Sequence, residues 1–264
     1  MPYEIARFGW VRDLPDQRDH LYAAPPQFLT TMPSQVDLRS QCPPVYDQGQ
    51  IGSCTANAIG AAHEFNQMKQ KLPAPSPFVP SRLFIYYNER AIEHTTGSDS
   101  GAQIRDGMKS VAKLGVCRED PTWPYNADPF PPNNKLTRKP SAAAYREALK
   151  YQAIQYQRVP QVLSQMKGCL VAGYPFVFGF TVYESFEGQE VAKTGIVAMP
   201  QSGEQVLGGH AVLAVGYDDA QQKFIVRNSW GTGWGDKGYC HMPYLYLNDP
   251  QLASDFWTLR LIET

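Results

Sequence analysis

The segment Val226-Arg-Asn228-Ser-Trp230-Gly-Thr-Gly-Trp234-Gly-Asp-Lys-Gly238-Tyr239 constrains this chain more than any other. Its glycines and tryptophans read as a turn that follows a strand-like run over 223–228. That turn places Asn228 on the strand beside the one that carries His210. An asparagine amide oxygen there can accept an imidazole N–H and so fix which ring nitrogen carries the proton.

Two further segments carry chemistry in the same way. In Gly208-Gly209-His210-Ala211-Val-Leu-Ala-Val-Gly-Tyr217, a histidine opens an apolar strand, and the glycines before it leave room beside the ring. In Gln48-Gly-Gln-Ile-Gly-Ser-Cys54, a cysteine stands at a loop-to-helix junction. The unpaired N–H groups and dipole of a helix N-terminus favour a thiolate over a thiol, and only the thiolate is a strong nucleophile. Gly49 and Gly52 let the backbone turn tightly there. Taken alone, Cys54 reads more readily as an inert core cysteine and His210 as a satisfied core histidine; the three segments together favour chemistry.

The chain has 264 residues, 43% hydrophobic and 19% charged, which suits one large domain or two close lobes. A net charge of −1 gives no bulk attraction to nucleic acid or an anionic membrane, so neither is expected as a partner. The longest apolar runs are too short to span a bilayer. The N-terminus is charged throughout and is no secretory signal as it stands. The chain is therefore read as cytoplasmic, exported by another route, or trimmed of a signal. Five cysteines at wide spacing, with no CxxC pair, argue against a zinc ribbon. Cys42, Cys117, Cys169 and Cys240 are either buried small residues or include one disulfide. His20, His63, His94 and His241 show no ligand spacing; no metal or cofactor is expected.

Residues 1–31 show no periodicity and read as an extended arm. Helices are predicted from Cys54, over 81–93, over 104–114 and over 159–172, with residues 121–144 as a surface crossing. Strands are predicted over 176–182, 211–217, 223–228, 238–242 and 257–262. Helices first and strands later indicate an α+β chain with segregated lobes.

The combined motifs resemble the papain-like cysteine peptidases. The matching residues are Gln48, Gly52-Ser53-Cys54, His210-Ala211-Val212, Gly216-Tyr217 and Asn228–Gly235, in the family's order, with Val36-Asp37-Leu38-Arg39 like its mature start. The resemblance covers roughly residues 36–245. It implies a two-lobe fold: a helical lobe mainly 50–120, an antiparallel β-rich lobe mainly 121–264, and the active site in the cleft between. Residues 32–264 then form the peptidase domain behind an arm of 1–31. It also implies a Cys54 thiolate/His210 imidazolium pair, Asn228 orienting His210, Trp230 shielding that hydrogen bond, and Gln48 with the Cys54 N–H as oxyanion hole. Several residues depart from the family: Thr55 stands for an aromatic and Ile51 for a disulfide cysteine, with Asp99 near the missing partner. Gly101-Ala102 replaces a glycine pair that binds substrate backbone.

The implied substrates are peptides or proteins. An amide-transfer enzyme and a silent binding module are the competing readings. Gly179, Gly209 and Ala211, beside the apolar run 176–180, predict a pocket for an apolar substrate side chain. Ile5, Phe8, Trp10, Val11 and Leu14 give the arm more apolar surface than a solvated tail keeps. It either runs along the cleft over Cys54 as a built-in inhibitor or packs on the back of a lobe.

Overall fold

A computed structural model describes residues 8–127 and 135–263. The elements run β1 (Trp10–Val11), α1 (Pro26–Thr30), β2 (Gln35–Asp37), α2 (Cys54–Gln70), α3 (Arg82–Ile92), β3 (Ala102–Gln103), α4 (Ile104–Lys113), α5 (Ala142–Ala148), β4 (Ala153–Arg158), α6 (Leu163–Val171), β5 (Phe176–Tyr183), α7 (Gln189–Thr194), β6 (Val206–Asp218), β7 (Lys223–Arg227), β8 (Tyr239–Pro243), α8 (Tyr244–Asn248) and β9 (Ala253–Ile262).

Helix α2 is the spine. Every residue from Cys54 to Gln67 is buried, so it has no solvated face. Ala56, Ala58, Gly60, Ala61 and Ala62 are small enough for neighbouring elements to close on it from all sides. Its polar side chains bond within the fold: Asn66 donates to the carbonyls of Ala62 and Leu259, although its own Oδ1 has no partner among the described residues, and Asn57 donates to that of Ser53. Helices α3 and α4 pack beside it to form the helical lobe. Ser81 caps α3, its hydroxyl accepting the Phe84 N–H.

The other lobe is an antiparallel sheet with strand order β4-β9-β5-β6-β7-β8, to which β2 adds along β6. Phe176, Phe178 and Phe180 of β5 are fully buried with Phe256 of β9, making an aromatic centre. The fold is thus the α+β two-lobe arrangement. Strand β7 ends at Arg227, so Asn228 stands one residue beyond it rather than in it. Helix α5 enters the segment read as a surface crossing, part of which lies outside the described residues, and β4 was not foreseen. All five cysteines are free thiols.

The arm has two parts. Residues 8–11 enter the groove between the lobes. Residues 13–24 cross the β4 and β9 side: Tyr22 N–H donates to the Arg158 carbonyl, Arg158 N–H to that of His20, and the Trp257 indole to Asp13. Asp19 is clamped by Arg105 at 2.6 Å and Arg158 at 3.0 Å. Val11 and Leu14, read as apolar anchors, are instead exposed, because the strand-like arm turns those side chains outward. Ile5 lies outside the described residues. No helix among the described residues is long and apolar enough to cross a membrane.

Candidate active site

Cys54 is the first residue of α2, where a backbone N–H has no intrahelical acceptor. Ser53 occupies the cap position without capping; its hydroxyl is 2.7 Å from that of Tyr125 and accepts from Asn57. His210 lies on β6 opposite Phe180 of β5. Its Nε2 is 2.8 Å from Asn228 Oδ1. With Asn228 Oδ1 as acceptor, Nε2 carries the proton and Nδ1 is left with a lone pair. Nδ1 has no hydrogen-bond partner among the described residues. The Trp230 ring lies over His210, centroids 5.0 Å apart and tilted by 33°.

Ser229 ties Asn228 to Gln48. Its N–H donates to Asn228 Oδ1 at 2.8 Å, its hydroxyl to Gln48 Oε1 at 2.7 Å, and its carbonyl accepts the Gln48 N–H at 2.8 Å. With the Gln48 oxygen so engaged, its amide nitrogen is the side-chain donor; one N–H goes to the Ile51 carbonyl at 3.0 Å. Nothing in the sequence singled out Ser229 as the link.

Asp99 fills the place of the missing disulfide. Its carboxylate accepts the Gly52 N–H at 3.0 Å and the Tyr86 hydroxyl at 2.5 Å, holding the loop before Cys54 to the loop before β3. Thr55, where the family carries an aromatic, donates instead to the buried Glu89 at 2.6 Å.

The arm covers all of this. Gly9 lies so close to the loop before Cys54 that a Cβ on it would stand 1.7 Å from the Gly52 carbonyl oxygen. Trp10 and Val11 pair in parallel with Ala102 and Gln103, and a Cβ on Gly101 would meet the Gly9 oxygen at 2.4 Å. The Trp10 ring rests on Gly179 and Gly209, where added Cβ atoms would stand 1.9 Å and 2.7 Å from it. Phe8 meets His210 edge to face at 6.2 Å. The predicted binding residues Gly101, Ala102, Gly179 and Gly209 therefore face the arm. Ala211 lies beside Cys54, its backbone N–H acting on the thiol. The pocket also contains Asp255, which the sequence reading missed: the Trp10 indole N–H donates to its Oδ2 at 3.2 Å.

Burial shifts both titratable groups of the site. Cys54 and His210 are both 0% exposed. Burial pushes the thiol up to about 12, although the N–H groups of Ala211, Gly9 and Thr55 pull it down. Burial pushes His210 down to about 4, opposed by its bond to Asn228. Both shifts run against the charged forms because both groups are buried away from water. His63 is a core histidine between Gln67 and the Tyr151 carbonyl. No group of side chains that could hold a metal occurs among the described residues.

The family described as papain family cysteine protease matches residues 32–255. An uncharacterized peptidase C1-like protein of Acanthamoeba polyphaga mimivirus is 44% identical over 277 residues, spanning 96% of this chain and 86% of that protein. Chymopapain of Carica papaya is 27% identical over 235 residues, 86% of this chain and 58% of its own length. The crystal structure of xylellain, a cysteine protease from Xylella fastidiosa, superposes with a TM-score of 0.90 at 46% identity, covering 97% of this chain and 96% of xylellain. This chain therefore belongs to the papain family of cysteine proteases.

Proposed function

We propose that the chain is a latent cysteine peptidase in which Cys54 is the nucleophile, His210 its acid and base, and Asn228 the residue that orients the histidine. The observation that carries this reading is the 2.8 Å bond from His210 to Asn228 in the same buried site as Cys54, with Gly9 and Trp10 of the arm laid across it. Residues 32–264 would be the peptidase domain. Residues 8–11 would act as a plug, and residues 13–31 as a belt that stays attached.

With the plug withdrawn, water returns and the pair can charge: the Cys54 proton moves to His210 Nδ1. The thiolate attacks a substrate carbonyl carbon, forming a C–S bond and a tetrahedral oxyanion. The Cys54 N–H and the second Gln48 amide N–H are the donors for that oxygen. The imidazolium gives its proton to the leaving amine as the C–N bond breaks. Water, deprotonated by His210, then cleaves the thioester and returns the thiol.

The test is hydrolysis of a fluorogenic dipeptide library by the full chain, by Gly9→Glu, whose side chain cannot seat against Gly52, and by Gly9→Glu carrying Cys54→Ala. Gly9→Glu should be the most active, and Cys54→Ala inactive but folded. Hydrolysis that survives Cys54→Ala would end the assignment.

A further inference from the structure

We propose that Tyr125 is a positioning residue for the oxyanion hole, its hydroxyl fixing the spacing of the two donors by holding the residues that carry and flank them. The inference rests on the reading of Cys54 as nucleophile, which makes the Gln48 amide and the Cys54 N–H those donors.

The two donors stand at opposite ends of one loop, and the loop between them is loose by composition. Gly49 and Gly52 lie within it, Gly49 at φ 60°, and glycine holds a backbone less firmly than other residues. The Tyr125 hydroxyl closes that loop. It donates to the Gln48 carbonyl at 2.9 Å and lies 2.7 Å from Ser53 Oγ. A phenol has one hydrogen; with that hydrogen on Gln48, the Ser53 hydroxyl donates to the Tyr125 oxygen. Ser53 Oγ in turn accepts from Asn57 of α2 at 3.0 Å. One oxygen atom thus joins residue 48, whose side chain is one donor, to residue 53, whose neighbour's N–H is the other.

Tyr125 is itself held from behind. The Arg82 guanidinium lies 3.8 Å from the centre of its ring, a cation over an aromatic face. Glu119 grips Arg82 with both oxygens, at 2.7 Å and 2.9 Å. The same guanidinium donates to the Asp47 carbonyl and to Asn57 Oδ1, both at 2.9 Å, so it braces the residue before Gln48 as well. The segment that leads to Tyr125 is pinned where the Ser81 hydroxyl donates to the Trp123 carbonyl at 2.7 Å. Burial pushes the Tyr125 hydroxyl up to about 12, so it keeps its proton at neutral pH and stays a donor. Without that hydroxyl, the Gln48 carbonyl and the Ser53 hydroxyl each lose a partner, and the loop that spaces the donors is free to shift.

The experiment uses the full chain carrying Gly9→Glu, with and without Tyr125→Phe, which keeps the ring on Arg82 and removes the hydroxyl. Two rates separate the oxyanion hole from the nucleophile. Hydrolysis of a fluorogenic dipeptide builds an oxyanion; alkylation of Cys54 by iodoacetamide builds none and reads the thiolate alone. Tyr125→Phe should lower kcat about tenfold, with KM changed less than about twofold and the alkylation rate unchanged. Added to Gln48→Glu, it should cost clearly less than that, because one of the donors it positions is already gone. A kcat unmoved by Tyr125→Phe, or an alkylation rate that falls in step with kcat, overturns the proposal. Ser53→Ala cuts the same tie at its other end and decides even if Tyr125→Phe does not fold: kcat should fall with it, and an unchanged kcat overturns the tie. Hydrogen exchange over residues 48–54, measured on the Gly9→Glu chain carrying Cys54→Ala, separates this test from catalysis. Faster exchange on adding Tyr125→Phe supports the tie even if Cys54 proves not to be the nucleophile, and unchanged exchange overturns it.

Discussion

The Gly9 carbonyl accepts the Ala102 N–H at 2.7 Å, so a backbone bond ties the arm to the start of β3 on the far side of the groove from His210. A polypeptide is thus already bound across Cys54, and the predictions follow from what removing it, or altering its neighbours, should do.

Asn228→Ala should lower kcat with little change in KM. The side chain does not reach the groove; it holds the His210 ring and its protonated Nε2. General acid–base catalysis contributes about 10²–10⁴-fold, and a ring free to rotate forfeits part of that. Steady-state kinetics in the Gly9→Glu background checks it, and a change confined to KM would contradict the role.

Gln48→Ala should cost about 10²–10³ in kcat through the lost oxyanion donor. Because Gln48 also accepts from the Ser229 hydroxyl, Gln48→Glu tests the donor more cleanly. It keeps the acceptor and removes the N–H, and should be nearly as slow, with a lower melting temperature because its second oxygen faces the Ile51 carbonyl.

Asp19→Ala should destabilise the chain by about 3–5 kcal/mol, because it strands a buried guanidinium. The Arg105 and Asp19 side chains are only 4% and 8% exposed. Gly9→Glu, by contrast, should leave the belt in place and cost less, about the 1.5–3 kcal/mol that burying Trp10 is worth. Chemical denaturation of both variants separates belt from plug.

Stability should fall as pH rises from about 6.5 to 8. Asp13 and Glu93 are both raised to about 7, each chiefly by burial, Asp13 next by Asp255. A carboxyl raised in the folded state contributes stability that is full below its unfolded value and lost as pH rises through the folded one. His63 and His210, both lowered to about 4 by burial, act oppositely: their contribution is present above about 6.5 and lost as pH falls through about 4. The two sets offset each other in mild acid and leave a decline above it. Asp13 is faced by Asp255, Arg105, Glu93 and Trp257. Asp13→Asn should flatten the decline in melting temperature between pH 6.5 and 8; an unchanged slope would contradict the assignment.

Much of the site was legible because it is local. A cysteine at a helix start, a histidine opening an apolar strand and an asparagine before a glycine-rich turn are each set by short-range patterns. Their meeting follows from the family fold. What was not legible depends on contacts between distant segments. Asp255 lies 245 positions from Trp10, and its aim comes from a strand irregularity that no periodicity reveals. The burial of Cys54 and His210 depends partly on an arm whose path no local signal fixes. Helix α2 is buried all round from Cys54 to Gln67, which its polar Asn57 and Asn66 do not announce, since both bond within the fold.

The most direct test of a latent peptidase plugged by its own arm is kcat/KM for one fluorogenic dipeptide, measured on the full chain and on Gly9→Glu. The account predicts a rise of at least about tenfold in Gly9→Glu, since burying Trp10 is worth about 1.5–3 kcal/mol and a substrate must displace it. It also predicts that Cys54→Ala removes the whole of that activity. Equal activity in the two chains would contradict the plug, and activity that survives Cys54→Ala would contradict the nucleophile.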